Sequence, residues 1–234
     1  MAATQAAHTT ESARSLPLYR MDVGLYDRLV AAGALEGRDV ELRDGLLLDR
    51  HPHREDPIHR LDTATYDRMV ATGALEGEPV ELLEGLLVAV MSPQSPEHAT
   101  VIMRLTDHFR DAKARLRVQL PVELEPGSEP EPDLTLAEGP PPRGRHYRTA
   151  LLAVEVSMTS HYKDREVKAG LYAKGGIPVY WLVDIPAQRI EVYSDPGATG
   201  YERCEVNGLG DTIPSPADGV PDLDVAWLFE GLGD

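Results

Sequence analysis

Residues 151–184 read LLAVEVSMTSHYKDREVKAGLYAKGGIPVYWLVD. The stretch opens with a strand-length run, Leu151 to Ser157, apolar up to Val156 except for Glu155. A helical pattern follows from about Asp164 to Lys174, and Gly175-Gly176 is a strong stop signal for it. Val179 to Val183 is a second apolar run of strand length. Strand, helix and strand in this order predict a parallel strand pair joined by a right-handed crossover.

Outward from this unit the signals change. Ser95-Pro96-Glu97 opens a helix predicted to run to about Arg115, with proline in its first turn and Val101, Ile102, Leu105 and Phe109 on one face. Strands are predicted at Val118–Leu124, 133–137, Arg189–Tyr193 and Tyr201–Val206, several joined by short turn-rich loops that favour antiparallel neighbours. Val225 to Phe229 reads as a short docking helix. The fold class is therefore α/β in the broad sense (α+β), a mixed sheet flanked by helices.

Upstream the chain repeats itself. Residues 20–48 and 60–88 align at an offset of 40 with 18 of 29 positions identical. Each copy carries a capping aspartate (Asp22, Asp62), a short helix, a glycine stop (Gly33, Gly73), and two strands around an Asp44-Gly45 or Glu84-Gly85 turn. Two copies are too few for a solenoid. Copy one runs into the polar segment His51–Pro57, whereas copy two runs on into the rest of the chain. This predicts a disordered lead-in over 1–17, a duplicate helix–hairpin segment over 18–57, and a main domain over 58–234. Copy one is expected to mimic an edge hairpin of the main domain, pairing with another subunit or covering part of a site.

The chain has a net charge of −16, which opposes a general nucleic-acid coat role, because phosphate neutralisation needs a cationic face. A metal site escapes this objection, since carboxylates build it and the ion reverses the local field. No apolar run approaches the ~20 residues that cross a bilayer. The N-terminus lacks the pattern of a secretory signal. A single cysteine, Cys204, precludes an intramolecular disulfide, and a reducing cytoplasm is the expected compartment.

Three residues stand out chemically. Asp133, after Pro132, opens an alternating run; its plain alternative is a turn carboxylate. Glu155 interrupts an apolar strand, where a carboxylate needs a partner; an ion pair with Arg148 or Arg165 is the structural alternative. Lys168 shares a helix face with Asp164 and Tyr172 at i, i+4 and i+8 spacing, and a surface Asp–Lys pair is the alternative there. Two carboxylates on neighbouring strands can hold a divalent cation, and a nearby ammonium can steady a water or a phosphate oxygen. Glu81, matched in copy one by Glu41, is either fold grammar beside the turn or part of a metal site, and His98, at a helix N-terminus, is either structural or a contact for a phosphate or a metal-bound water. Arg143, Arg145 and Arg148, with His146, form the one compact basic stretch and are candidates for nucleic-acid backbone contact, as against a hairpin tip. No phosphate-cradling glycine loop, zinc spacing or serine elbow is present.

The order of short strings resembles the Uma family of restriction-endonuclease-like proteins within the PD-(D/E)xK nuclease superfamily. The strings are Val80–Gly85, Met91-Ser92-Pro93 with Pro96-Glu97-His98, Pro132-Asp133, Val154–Ser157, Asp164-Arg165 with Lys168 and Tyr172, and Gly176–Asp184. They cover roughly residues 60–230. The resemblance implies a restriction-endonuclease-like mixed sheet, a Mg²⁺ site (Mn²⁺ as a substitute), hydrolysis of DNA phosphodiester bonds, and a homodimer or higher homo-oligomer away from the membrane. Carried over, Asp133 and Glu155 are metal ligands, Lys168 takes the lysine role, and Glu81, His98 and Tyr172 are accessory. Ser157 occupies the superfamily's usual lysine position, so the lysine is expected on the helix, a shift the family's pattern tolerates. Met158 replaces a common proline and Val179 a frequent glutamate. The rival expectation is a catalytically inactive relative of the nuclease fold serving as an interaction or regulatory module, favoured by the charge and the duplication.

Overall fold

The structure is a computed structural model and describes residues 16–52, 56–90, 95–124, 127–158 and 163–232. The predicted disordered lead-in lies outside the described residues, apart from Leu16, which is buried, and Pro17. The middle of the predicted polar linker, 53–55, and the Met91-Ser92-Pro93 string also lie outside them. Two compact units form, Met1–Ser92 with Pro126–Glu129, and Pro93–Glu125 with Pro130–Asp234.

The first unit holds both repeats. Copy one comprises α1 (Val23–Ala31), β1 (Val40–Arg43) and β2 (Leu46–Asp49); copy two comprises α2 (Thr63–Ala71), β3 (Val80–Leu83) and β4 (Leu86–Ala89). The capping prediction is met: the Asp22 side chain accepts from the Leu25 amide and the Asp62 side chain from the Thr65 amide. Both hairpins turn through two left-handed residues, Asp44-Gly45 and Glu84-Gly85, as a tight antiparallel connection requires. Gly85 is obligatory for a second reason, since a Cβ there would lie 2.9 Å from the Leu61 carbonyl oxygen. Neither hairpin joins the large sheet, which corrects the expected edge role: each is its own two-stranded sheet, and copy one packs with copy two of the same chain.

The second unit is built on a six-stranded sheet. Its strands are β5 (Arg115–Val118), β6 (Leu134–Ala137), β7 (Leu152–Ser157), β8 (Val179–Asp184), β9 (Arg189–Pro196) and β10 (Tyr201–Asn207), in spatial order β10-β9-β8-β7-β6-β5. The β7–β8 pair is parallel, as the strand–helix–strand unit predicts, and every other neighbour is antiparallel. One face buries Leu134, Leu136, Leu152, Val154, Val156, Trp181, Val183 and Ile190 with α3 (Pro96–His108) and, after the short pair β11 (Thr212–Ile213) and β12 (Leu223–Asp224), with α5 (Val225–Phe229). Alternation along each strand sends Glu155, Tyr180, Asp184, Glu191 and Tyr193 to the opposite face.

Several boundaries differ from the sequence reading. The α3 helix ends at His108 rather than near Arg115; Phe109 caps it and is fully buried, 5.7 Å from the Trp181 ring. The strand predicted at Val118–Leu124 instead ends at Val118, because Gln119 turns left-handed at φ 49°. The helix predicted over Asp164–Lys174 begins as a π-helical turn, Lys163–Lys168, before α4 (Ala169–Lys174). Such wide turns occur mostly as single-turn insertions, often at functional sites.

Candidate active site

The site grows from the β6–β7 register. Leu134 pairs with Val154 and Leu136 with Leu152. One more step along that ladder sets Asp133 opposite Glu155. There the backbone leaves the ladder and the Asp133 side chain replaces it: Oδ2 accepts from the Val156 amide at 2.8 Å. Pro132, buried before it, fixes the approach. The Asp133 carboxylate is thereby pinned one residue from Glu155.

Glu155 is buried on the face opposite α3, within an otherwise apolar strand. Among its partners, Lys168 donates to Oε1 at 2.8 Å and the Tyr172 hydroxyl to the same oxygen at 2.6 Å. Arg165 is engaged by Glu191 and Asp184, and Arg148 reaches Glu123. Lys168 is itself buried, which rules out the surface-pair reading. The turn from π- to α-helix presents Lys168 and Tyr172 to one oxygen, while the Asp164 carbonyl accepts from Tyr180 at 3.2 Å.

His98 completes the cluster. Ser95 caps α3 and accepts from the His98 amide at 3.2 Å, and the ring's Nε2 lies 3.3 Å from Asp133 Oδ2. The bond to Asp133, then its charge, the Val156 main chain and the charge of Glu155 outweigh burial and raise the His98 pKa above its ordinary 6.5. Burial would push the Asp133 carboxyl up, but the His98 bond and charge, the Val156 amide and the charge of Lys168 hold it below the usual carboxylate range. The mutual influence of His98, Asp133, Glu155 and Lys168 marks them as one electrostatic unit.

Asp133 and Glu155 are residues that could hold a hard divalent cation. Carboxylate oxygens on adjacent strands are what Mg²⁺ or Mn²⁺ takes. Asp133 Oδ1 is held by Gln119 at only 3.4 Å, a bond readily given up.

Of the other predicted residues, Glu81 is buried on β3 in the first unit. Arg143, Arg145 and Arg148 are exposed, on a loop anchored by the bond from the Tyr147 hydroxyl to the Gly139 carbonyl. The sequence reading missed a second charged cluster on the same sheet face. Arg165 grips both oxygens of Glu191, at 2.6 to 3.0 Å, and reaches Asp184 at 3.2 Å; Arg189 joins both acids at 3.3 and 3.4 Å. It also missed the tyrosine row Tyr172, Tyr180, Tyr193 and Tyr201 behind the site, with neighbouring ring centroids 5.1, 5.4 and 6.0 Å apart. The available signal was the alternation of Glu191 and Tyr193 with Ile190 and Val192.

With this geometry in place, comparison with known proteins narrows the reading. The family profile described as "Uma2: Putative restriction endonuclease" matches residues 64–226. A crystal structure described as that of a putative nuclease belonging to DUF820, from Anabaena variabilis ATCC 29413, superposes with a TM-score of 0.52 at 20% identity, over 65% of this chain and 90% of that one. At that identity the likeness speaks for the fold. No curated protein matches the chain. Among the described residues no helix is long and apolar enough to cross a membrane.

Proposed function

The chain belongs to the Uma2 family, and on that premise we propose that it is a metal-dependent endonuclease that hydrolyses DNA phosphodiester bonds. The observation that carries the reading is the convergence of Asp133, just before β6, Glu155, within β7, and Lys168, at the end of the π-turn. In this proposal Asp133 and Glu155 hold Mg²⁺, with Mn²⁺ as a substitute. A divalent cation bound there supplies polarisation of the scissile phosphate and a lowered pKa for the attacking water.

The chain's own residues do the rest. Asp133, pinned by the Val156 amide, and Glu155, pinned by the Tyr172 hydroxyl, keep the donors in place before substrate arrives. Lys168 is close enough to Glu155 to turn its ammonium toward charge developing on the phosphate oxygens. His98 and Lys168 balance the carboxylates in the metal-free protein, and His98 gives up its proton as the pH rises. The exposed Arg143 and Arg145 offer sequence-independent phosphate contact that offsets part of the chain's negative charge. Glu81 is proposed as an accessory acid and a reducing cytoplasm as the compartment.

The test is calorimetric titration of Mg²⁺ and Mn²⁺ into wild type and Asp133→Ala, followed by plasmid nicking with the same samples. Binding and nicking in wild type alone support the proposal. Absence of both in folded wild type would leave the interaction-module reading.

A further inference from the structure

The first unit is more symmetric than a tandem duplication requires. Leu18, ahead of copy one, forms a β-bridge with Val88 of copy two, and Ile58, ahead of copy two, forms one with Leu48 of copy one. The backbone bonds repeat the exchange. Tyr19 donates to the Leu87 carbonyl at 2.9 Å and His59 to the Leu47 carbonyl at 2.9 Å. Ala89 donates to Pro17 at 2.8 Å and Asp49 to Pro57 at 2.9 Å. Every one of these bonds maps onto its mate when the copies are interchanged at the offset of 40. Residue i meets j while the equivalent of j meets the equivalent of i, which defines the isologous interface of a two-fold dimer.

The side chains obey the same exchange. One apolar core joins Met21, Leu29 and Leu47 to their equivalents Leu61, Met69 and Leu87, all nine-tenths buried or more. A cavity of about 20 Å³ is lined by matched pairs such as Leu18 with Ile58, Met21 with Leu61 and Gly45 with Gly85. At about one water's worth of space it is a seam, not a ligand site. Symmetry breaks at the rim. Arg38 pairs with Asp62, whereas its equivalent Glu78 accepts from Tyr19 and faces Arg28 at 3.5 Å. Opposite charges at equivalent positions favour pairing of unlike copies over like ones.

We propose that copy one is a second subunit carried in cis: it fills, on copy two, the face by which a chain with one copy would pair with another such chain, and closes that face to a second molecule. The family match begins at residue 64, within α2, and so spans copy two alone. The occupant follows from the register. Were copy two to pair with copy two of another chain, Ile58 would take the place of Leu18 beside Val88 of the partner subunit.

Two cysteine pairs in the full chain separate the arrangements, with the exposed Cys204 changed to serine. Leu18 and Val88 are a non-hydrogen-bonded antiparallel pair, with Cα atoms about 4.5 Å apart, inside the range a disulfide spans. On oxidation Leu18→Cys/Val88→Cys closes within one chain, with the mass of a single chain on a non-reducing denaturing gel. Ile58→Cys/Val88→Cys gives no covalent dimer. A covalent dimer from either pair, or failure of the first to close, overturns the proposal. Should substitution of buried Val88 unfold the chain, Leu48→Cys/Ile58→Cys uses two half-buried positions of the mirror bridge. That pair is expected to close within one chain, and failure to close at wild-type circular dichroism overturns the proposal equally.

Discussion

Two charged clusters share one face of the six-stranded sheet, and their central acids are similarly buried: the side chains of Glu155 and Glu191 are each 7% exposed, that of Asp184 4%. Burial therefore does not distinguish them; the cations do. Around Asp184 and Glu191 the partners are arginines, permanently charged planar forks that occupy both oxygens of Glu191. Around Asp133 and Glu155 they are a lysine and a histidine, single-point donors, the histidine with its pKa raised above 6.5 by the bond to Asp133. The first arrangement is a clamp that ties the π-turn to β8 and β9. In the proposed function, the second is a set of anions whose counter-charges are exchanged for a metal ion.

The largest expected effect breaks the clamp. Glu191→Ala leaves Arg165 and Arg189 facing Asp184 alone and should lower the unfolding free energy by about 3–5 kcal/mol in urea titration. Nicking per folded molecule stays at the wild-type level; a specific activity loss instead would erase the distinction between the clusters. Next, Lys168→Ala should reduce nicking by about 10²- to 10³-fold, the usual consequence of removing one transition-state donor, while calorimetry still detects metal binding. Tyr172→Phe removes one bond to a charged acceptor and should cost about 1.5 kcal/mol of stability while Lys168 still holds Glu155.

The pH dependence sharpens the comparison further. His98 has its pKa raised above 6.5, so the stability it contributes is complete below pH 6.5 and is lost as the pH climbs through the raised value. Asp133 has its pKa lowered from 3.8, so its contribution is present above pH 3.8 and is lost as the pH falls through the lowered value. The stability difference between wild type and His98→Ala should thus be largest between these limits and shrink on either side, read from urea titrations across pH. A flat difference would uncouple His98 from Asp133. Smallest of all, Arg143→Ala with Arg145→Ala should leave stability unchanged. The pair should flatten the salt dependence of DNA binding by about one unit of slope for each phosphate that an arginine no longer neutralises.

Much of this arrangement was legible in the residues. A carboxylate inside Leu151–Val156 demanded a partner, and the helix spacing brought Lys168 and Tyr172 to it. The parallel β7–β8 pair followed from a strand, a helix with a double-glycine stop, and another strand. The π-turn was not legible, because a wider hydrogen-bond ring leaves the apolar pattern of Val167 and Leu171 nearly unchanged. The Arg165 clamp was hidden by distance, since its acids lie on β8 and β9 and single residues do not announce a partnership of two strands with the π-turn. The swapped pairing of the repeats was also beyond reach, because an identity of 18 in 29 records duplication but not which copy each lead-in strand joins.

The central claim, that the lysine–carboxylate cluster is the chemical centre, is tested most directly by plasmid nicking in Mg²⁺ by wild type and Lys168→Ala, both shown to be folded and to bind the ion. Wild type should nick in a Mg²⁺-dependent manner, and the variant should lose about 10²-fold or more of that activity. Equal rates in the two proteins would contradict the claim.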